Sequence, residues 1–145
     1  MSYRLSIAAS ALLLALAAPA AAEDFAAQLD PAPFTATTRA DVIDSIGQVK
    51  GVLSGDTLTI TGTFSQMASP ATGASLRIGL LKGVLGDEIG KLAAEPAQQG
   101  AVSGSIRLTP EQVAALRAER LYVRVDSMKA PDGNLQGWLE PQVKR

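Results

Sequence analysis

Eight side chains in three short alternating runs carry most of the chemistry this chain can offer. Ser75 and Arg77 lie in Ala74–Leu81; Tyr122, Arg124 and Asp126 lie in Leu121–Ser127; Asn134, Gln136 and Trp138 lie in Asn134–Glu140. Residues two apart on a strand share a face, so each set presents one side. If the last two runs pair as an antiparallel hairpin, their rows become neighbours. Guanidinium, carboxylate and amide groups edged by Tyr122 and Trp138 suit a polar ligand. The competing reading is a solvated sheet face, which alternation alone produces. Trp138 has two readings of its own: a ring that stacks on a sugar or sits at a protein interface, or a lid folded over the helix and core.

Composition narrows the reactions available. The chain has no histidine and no cysteine among its 145 residues. It therefore lacks the commonest general base and the usual zinc and copper ligands, which leaves only hard cations such as calcium for a metal site. Asp41 and Asp44, three apart in a polar stretch, fit a solvated turn better than such a site. No G-x-S-x-G or S-x-x-K stretch offers an activated serine, so a hydrolase built from serine and carboxylates is the weaker alternative to a non-catalytic binding role. With 13 basic and 14 acidic residues, no basic patch builds up for nucleic acid. No cofactor is expected.

The elements that would position these residues read as strands. Thr57–Phe64 sets Leu58, Ile60 and Phe64 against Thr57, Thr59, Thr61 and Thr63, one face dry and one wet. Gly62 falls on the dry side, a sign of a bulge or close backbone approach. Gly47–Leu53 alternates before it, and Phe25–Leu29, with Pro31 and Pro33 following, suits an edge strand. In Ala74–Leu81, Leu76, Ile78 and Leu80 are expected to face the core. Ile89–Ala94 and Val102–Leu108 follow. Thr109, Pro110 and Gln112 form a helix start with a capping box, and the helix runs near 110–119 with Val113, Ala114 and Leu116 inward. Lys129–Gly133, with Pro131 and Asp132 at its centre, turns the hairpin. Seven or eight strands with one helix and no long repeat make an all-β, antiparallel β-sandwich.

The first 22 residues are expected to be a signal peptide. Arg4 supplies a positive start, and Leu5–Ala18 is apolar but shorter than the ~20 residues of a membrane span. Pro19 breaks the run, and Ala20-Ala21-Ala22 has the form of a cleavage site. Residues 23–145 then form one domain, exported to the periplasm or secreted. Without cysteine there is no lipid-modified N-terminus and no disulfide.

Several stretches resemble the CHRD domain, the module repeated in chordin and common in bacterial secreted proteins. LTPEQVAALRAERLYVRVDSMKAPDGNLQGWL resembles its closing half, a capped helix leading into Y-V-N-V-H-T and a P-x-G-E-I-R-G-Q-L hairpin. SPATGASLRIG is similar to its central H-I-H segment, and FAAQLD and GQVKGVLSGDTLTITGTF match in spacing. The resemblance implies an immunoglobulin-like or Cu,Zn-dismutase-like sandwich and a binding module of the cell envelope. Its partner would be an envelope protein or an extracellular polymer. The family's histidines would imply a metal-handling alternative. Here Ser75, Arg77 and Asp126 occupy their places, so the imidazole site is not carried over. In its stead, Arg77 is expected to lie across from Asp126 as an ion pair.

Overall fold

The computed structural model describes residues 21–143. The expected leader falls largely on residues 1–20, outside the described residues. Nine strands and one helix follow in chain order: β1 Glu23–Pro31, β2 Ile46–Ser54, β3 Thr57–Ser65, β4 Ala71–Ile78, β5 Asp87–Ala94, β6 Gly100–Arg107, α1 Pro110–Arg117, β7 Leu121–Ser127, β8 Leu135–Trp138 and β9 Glu140–Pro141. The protein is all-β with one short helix. A single turn of 3-10 helix, Arg39–Asp41, interrupts the loop after β1.

All pairings are antiparallel, and they close. The order β2-β3-β6-β5-β4-β7-β8-β1 returns to β2, so each of these eight strands has two neighbours. Two strands change partners to achieve this. β1 pairs with β2 over Glu23–Leu29 and with β8 at Asp30 and Pro31. β5 pairs with β4 over Asp87–Leu92 and with β6 at Ala93 and Ala94. Strands that cross between sheets at their corners remove the open edges that sheets must otherwise protect.

The edge-strand expectation for Phe25–Leu29 is therefore corrected: β1 is the seam of the barrel. Its prolines do not forbid this, because Pro31 is the last residue of the strand and Pro33 lies beyond it, so the interior ladder loses no donor. In β3 the alternation holds, with Leu58, Ile60 and Phe64 buried. A Cβ on Gly62 would stand 2.2 Å from the Gln48 carbonyl oxygen, so the close approach read from the sequence is real.

Two further positions differ from expectation. β4 ends at Ile78, and Leu80 is 79% exposed rather than inward. The cause is a tight neck: a Cβ on Gly79 would meet the Val84 carbonyl at 2.0 Å, and one on Gly86 the Ile78 carbonyl at 1.8 Å. Only glycine lets the chain turn there. On α1, Ala115 and Leu116 are buried, whereas Ala114 is exposed. The capping box is complete, with Thr109 accepting from the Gln112 N–H at 3.2 Å and Gln112 Oε1 accepting from the Thr109 N–H at 3.0 Å. The helix stops two residues early because Glu119 turns left-handed at φ 59°. The Glu119 and Arg120 N–H groups then donate back to Leu116 and Ala115 carbonyls, the Schellman arrangement of a helix C-terminus.

One apolar core fills the barrel, from Phe25 and Leu29 on β1 through Leu76, Val123 and Val125 to Leu135 and Leu139. The hairpin turn is as read: the Gly133 N–H donates to the Ala130 carbonyl at 3.2 Å, closing a turn over Pro131 and Asp132.

Candidate functional site

Register decides which of the eight candidate residues meet. β7 and β8 pair Tyr122 with Trp138 and Arg124 with Gln136, so those rows are neighbours on the outer surface. β4 and β7 pair Ser75 with Arg124 and Arg77 with Tyr122. Asp126 stands opposite Gly73, one row further along. The expected Arg77–Asp126 ion pair is thus corrected. Arg77 instead donates from Nε to the Gly86 carbonyl at 3.1 Å and from Nη1 to Ser75 Oγ at 3.4 Å.

Asp126 takes Arg124, its neighbour two residues back on the same strand. Nε lies 2.8 Å from Oδ1, but without hydrogen-bond alignment. The aligned bond is the longer one, Nη2 to Oδ2 at 3.3 Å. About a fifth of each of these side chains is exposed. Burial pushes the Asp126 carboxyl above its ordinary range, against the opposing pull of Arg124 and, more weakly, Arg77. Desolvation outweighs the partner because a poorly aligned pair returns little for the water it loses.

Tyr122 points outward yet is 1% exposed. The loop between β4 and β5 covers it: its hydroxyl donates to the Gly86 carbonyl at 3.1 Å and accepts from the Gly86 N–H at 2.9 Å. Trp138 closes the other side, its ring centroid 4.3 Å from that of Tyr122 at 37°, above the Gly79 backbone. The tryptophan therefore sits outside the barrel, half-buried, and is not a lid over the helix. Ser75 is buried. Asn134 is buried completely at the opposite end of the barrel, where its amide donates to Ser45 Oγ at 2.7 Å and accepts from Ser127 Oγ at 2.7 Å. It ties a loop to the hairpin instead of facing solvent.

Around β8, the same outer surface continues into an open groove of about 1690 Å³. Its floor comes from cross-strand rows on β1, β2 and β3: Gln28, Gln48 and Thr63 in one, Ala26, Lys50 and Thr61 in the next. Gln136 and Trp138 form one wall. Gln48, Thr61 and Thr63 make no side-chain hydrogen bond among the described residues, and Gln28 makes only a long one of 3.3 Å to Asp30. The threonine row was legible in the alternation of β3. Its neighbours were not, because β1 lies next to β2 only once the barrel has closed.

No group of three or more His, Cys, Asp or Glu side chains that could hold a metal occurs among the described residues. Asp41 ends the 3-10 turn and Asp44 follows it, without a third such ligand among the described residues. No helix among the described residues is long and apolar enough to cross a membrane. The profile of the CHRD domain matches residues 25–139. No curated protein and no solved structure matches the chain.

Proposed function

The chain belongs to the CHRD family, and from that premise we propose that it is an exported, non-catalytic module of the cell envelope, periplasmic or secreted, that binds an extended polyhydroxylated polymer. The observation that carries this reading is the groove. Amides and hydroxyls with unused hydrogen-bonding capacity cover its floor, an indole forms part of its wall, and its length runs across three strands. Carbohydrate hydroxyls need donors and acceptors of this kind, to which Lys50, Asp30 and Glu95 in the same groove add charged ones, and an indole offers a flat face for a sugar ring. A protein partner that adds a strand finds only short unpaired stretches, since each of the eight barrel strands has a neighbour on both sides over part of its length.

A binding role is favoured over a hydrolase by how the charged groups are spent. Arg77, Arg124, Asp126 and Tyr122 bond to one another's strands or to Gly86, so they are committed to holding the fold instead of standing as a nucleophile beside a general base. Within the fold, we read β1–β2–β3–β6 and β4–β7–β8 as the two layers of a dismutase-like sandwich. The sheet-crossing strands β1 and β5 favour it over an immunoglobulin-like one, whose edges stay open.

The test is co-sedimentation of the chain from Glu23 onward with insoluble envelope polysaccharides, alongside Trp138→Ala and Gln48→Ala. Retention of the parent, with loss in both variants and native circular dichroism throughout, is the expected result. Equal retention of all three, or none of the parent on any polymer, refutes the groove reading.

A further inference from the structure

The groove is not electrically even. Of the charged side chains that line it, Asp30, Glu95 and Glu140 are acidic and Lys50 and Lys82 are basic. Lys82 is already held by Glu140 and Glu119, at 2.6 and 3.0 Å. Asp24 stands diagonal to Lys50 across the β1–β2 ladder. Asp30 and Glu95, by contrast, enter none of the ion pairs among the described residues. Acid therefore prevails on this face, through two carboxylates that no cation balances.

The backbone places both of them. Asp30 sits where β1 leaves β2 for β8, opposite Gln136. Trp138 follows two residues along β8, about 7 Å away on the same face. The one side-chain bond to Asp30 is the long one from Gln28. Glu95 follows β5, and its N–H donates to the Ala101 carbonyl at 3.0 Å. Its side chain lies back over Gly100, where an added Cβ would stand 2.3 Å from Oε2. Any larger residue at Gly100 would push that carboxylate off the floor. Thr63 pairs with Ala101 and Phe64 with Gly100, so Glu95 closes the far end of the row that holds Gln48 and Thr63. Three strand spacings, about 14 Å, separate β1 from β6, too far for one sugar ring to reach both acids. Lys50 lies four residues along from the level of Asp30, about 13 Å, and two strands across from Glu95. Both distances exceed a screening length of about 8 Å, so each end of the groove stays acidic.

Resting on the reading of the groove as a polymer site, we infer that its ligand is a glycan with free amino groups. Its ammonium substituents meet Asp30 beside the indole and Glu95 at the other end. An ammonium is a donor-only cation that suits an unpaired carboxylate, while the rings between use the amides, the hydroxyls and the face of Trp138. A neutral glycan would leave both charges without a partner, and an anionic one would bring like charge to each end.

The test uses two beads that share one backbone: chitin, whose amines are acetylated, and chitosan, whose amines are free. The chain from Glu23 onward is expected to bind chitosan about fivefold more tightly than chitin at low salt, and the excess disappears in high salt. Asp30→Asn/Glu95→Gln removes the excess and keeps the retention on chitin; both side chains are exposed, so the thermal midpoint stays at the parent's. Asp44→Asn/Glu88→Gln removes the same charge outside the groove and keeps the excess. Equal retention of the parent on both beads, lost in Trp138→Ala, overturns the amine preference and leaves the groove reading intact. An unchanged excess in the groove variant overturns it as well, as does an equal loss in the variant outside the groove. So does a lysine oligomer that displaces the chain from chitosan as readily as a chitosan oligomer does, since the sugar would then be irrelevant. Retention on neither bead also overturns it, while the groove reading is judged on its own polymers.

Discussion

Over β4 and β7, the outer surface of the barrel commits its polar side chains to one another: Arg77 to Gly86, Tyr122 to both ends of the same glycine, Arg124 to Asp126. Over β3, β2 and β1, Thr61, Thr63 and Gln48 keep theirs uncommitted. Strand β8 borders both. The contrast teaches that side-chain type is a poor guide to a binding surface. The residues with the most obvious chemistry are those the fold uses to pin a loop, while plain threonines and glutamines line the groove.

Breaking the committed surface should cost the most stability. Tyr122→Ala removes a buried ring and is expected to lower the unfolding free energy by about 3–5 kcal/mol, in the range of large core truncations. Tyr122→Phe keeps the ring and should cost about 1–2 kcal/mol for two lost bonds to Gly86. Urea denaturation checks both. If the two variants lose the same amount, the hydroxyl rather than packing secures the loop.

Asn134→Ala removes the donor to Ser45 Oγ and the acceptor of the Ser127 O–H, which keeps only the Ala130 N–H, and a loss of about 2–3 kcal/mol is expected. A loss under 0.5 kcal/mol would mean that this buried bridge is replaceable. On the groove side, Thr61→Ala and Thr63→Ala should move stability by no more than about 0.5 kcal/mol while weakening polymer retention. If instead they unfold the protein and spare retention, the two surfaces have exchanged roles.

The smallest effect concerns pH. Because burial holds the folded pKa of Asp126 above its unfolded value, the folded state binds the extra proton between the two. The carboxylate then costs stability as pH rises through its folded pKa, and acidification returns that stability. Relative to the parent, Asp126→Asn should therefore gain stability as pH is raised from about 4 to 7. Glu23 works the other way: its bond to Arg117 holds its pKa low, so its contribution is lost on acidification. A difference between Asp126→Asn and parent that shrinks with rising pH would show Arg124 to outweigh desolvation.

Much of this was legible in the chain. Period-2 runs marked β2, β3, β4, β6, β7 and β8, the capping residues marked the helix start, and Lys129–Gly133 marked the hairpin turn, since all depend on neighbours close in sequence. That the rows of Tyr122 and Trp138 would be neighbours followed from hairpin register, whereas the choice between the two readings of Trp138 did not. The errors came where one residue's role depends on a distant one. Leu80 reads as inward by alternation, but Gly79 meeting Val84 ends the strand first. Resemblance sets Asp126 against Arg77, yet the β4–β7 register puts Arg77 opposite Tyr122 and Asp126 opposite Gly73, and a nearer guanidinium on its own strand takes the carboxylate. Asn134 continues the Gln136–Trp138 pattern, but Ser45, 89 residues away, claims its amide.

By itself the sequence determined that this protein would be built of β-strands with one capped helix, without imidazole or thiol chemistry, because side-chain periodicity and composition are local properties. Tertiary structure alone decided that the strands close on themselves, that the groove runs over β1–β3, and that the leucines of the β4–β5 loop stay in water. Each of those depends on which strands become neighbours, and closure of the chain sets that only once the barrel forms.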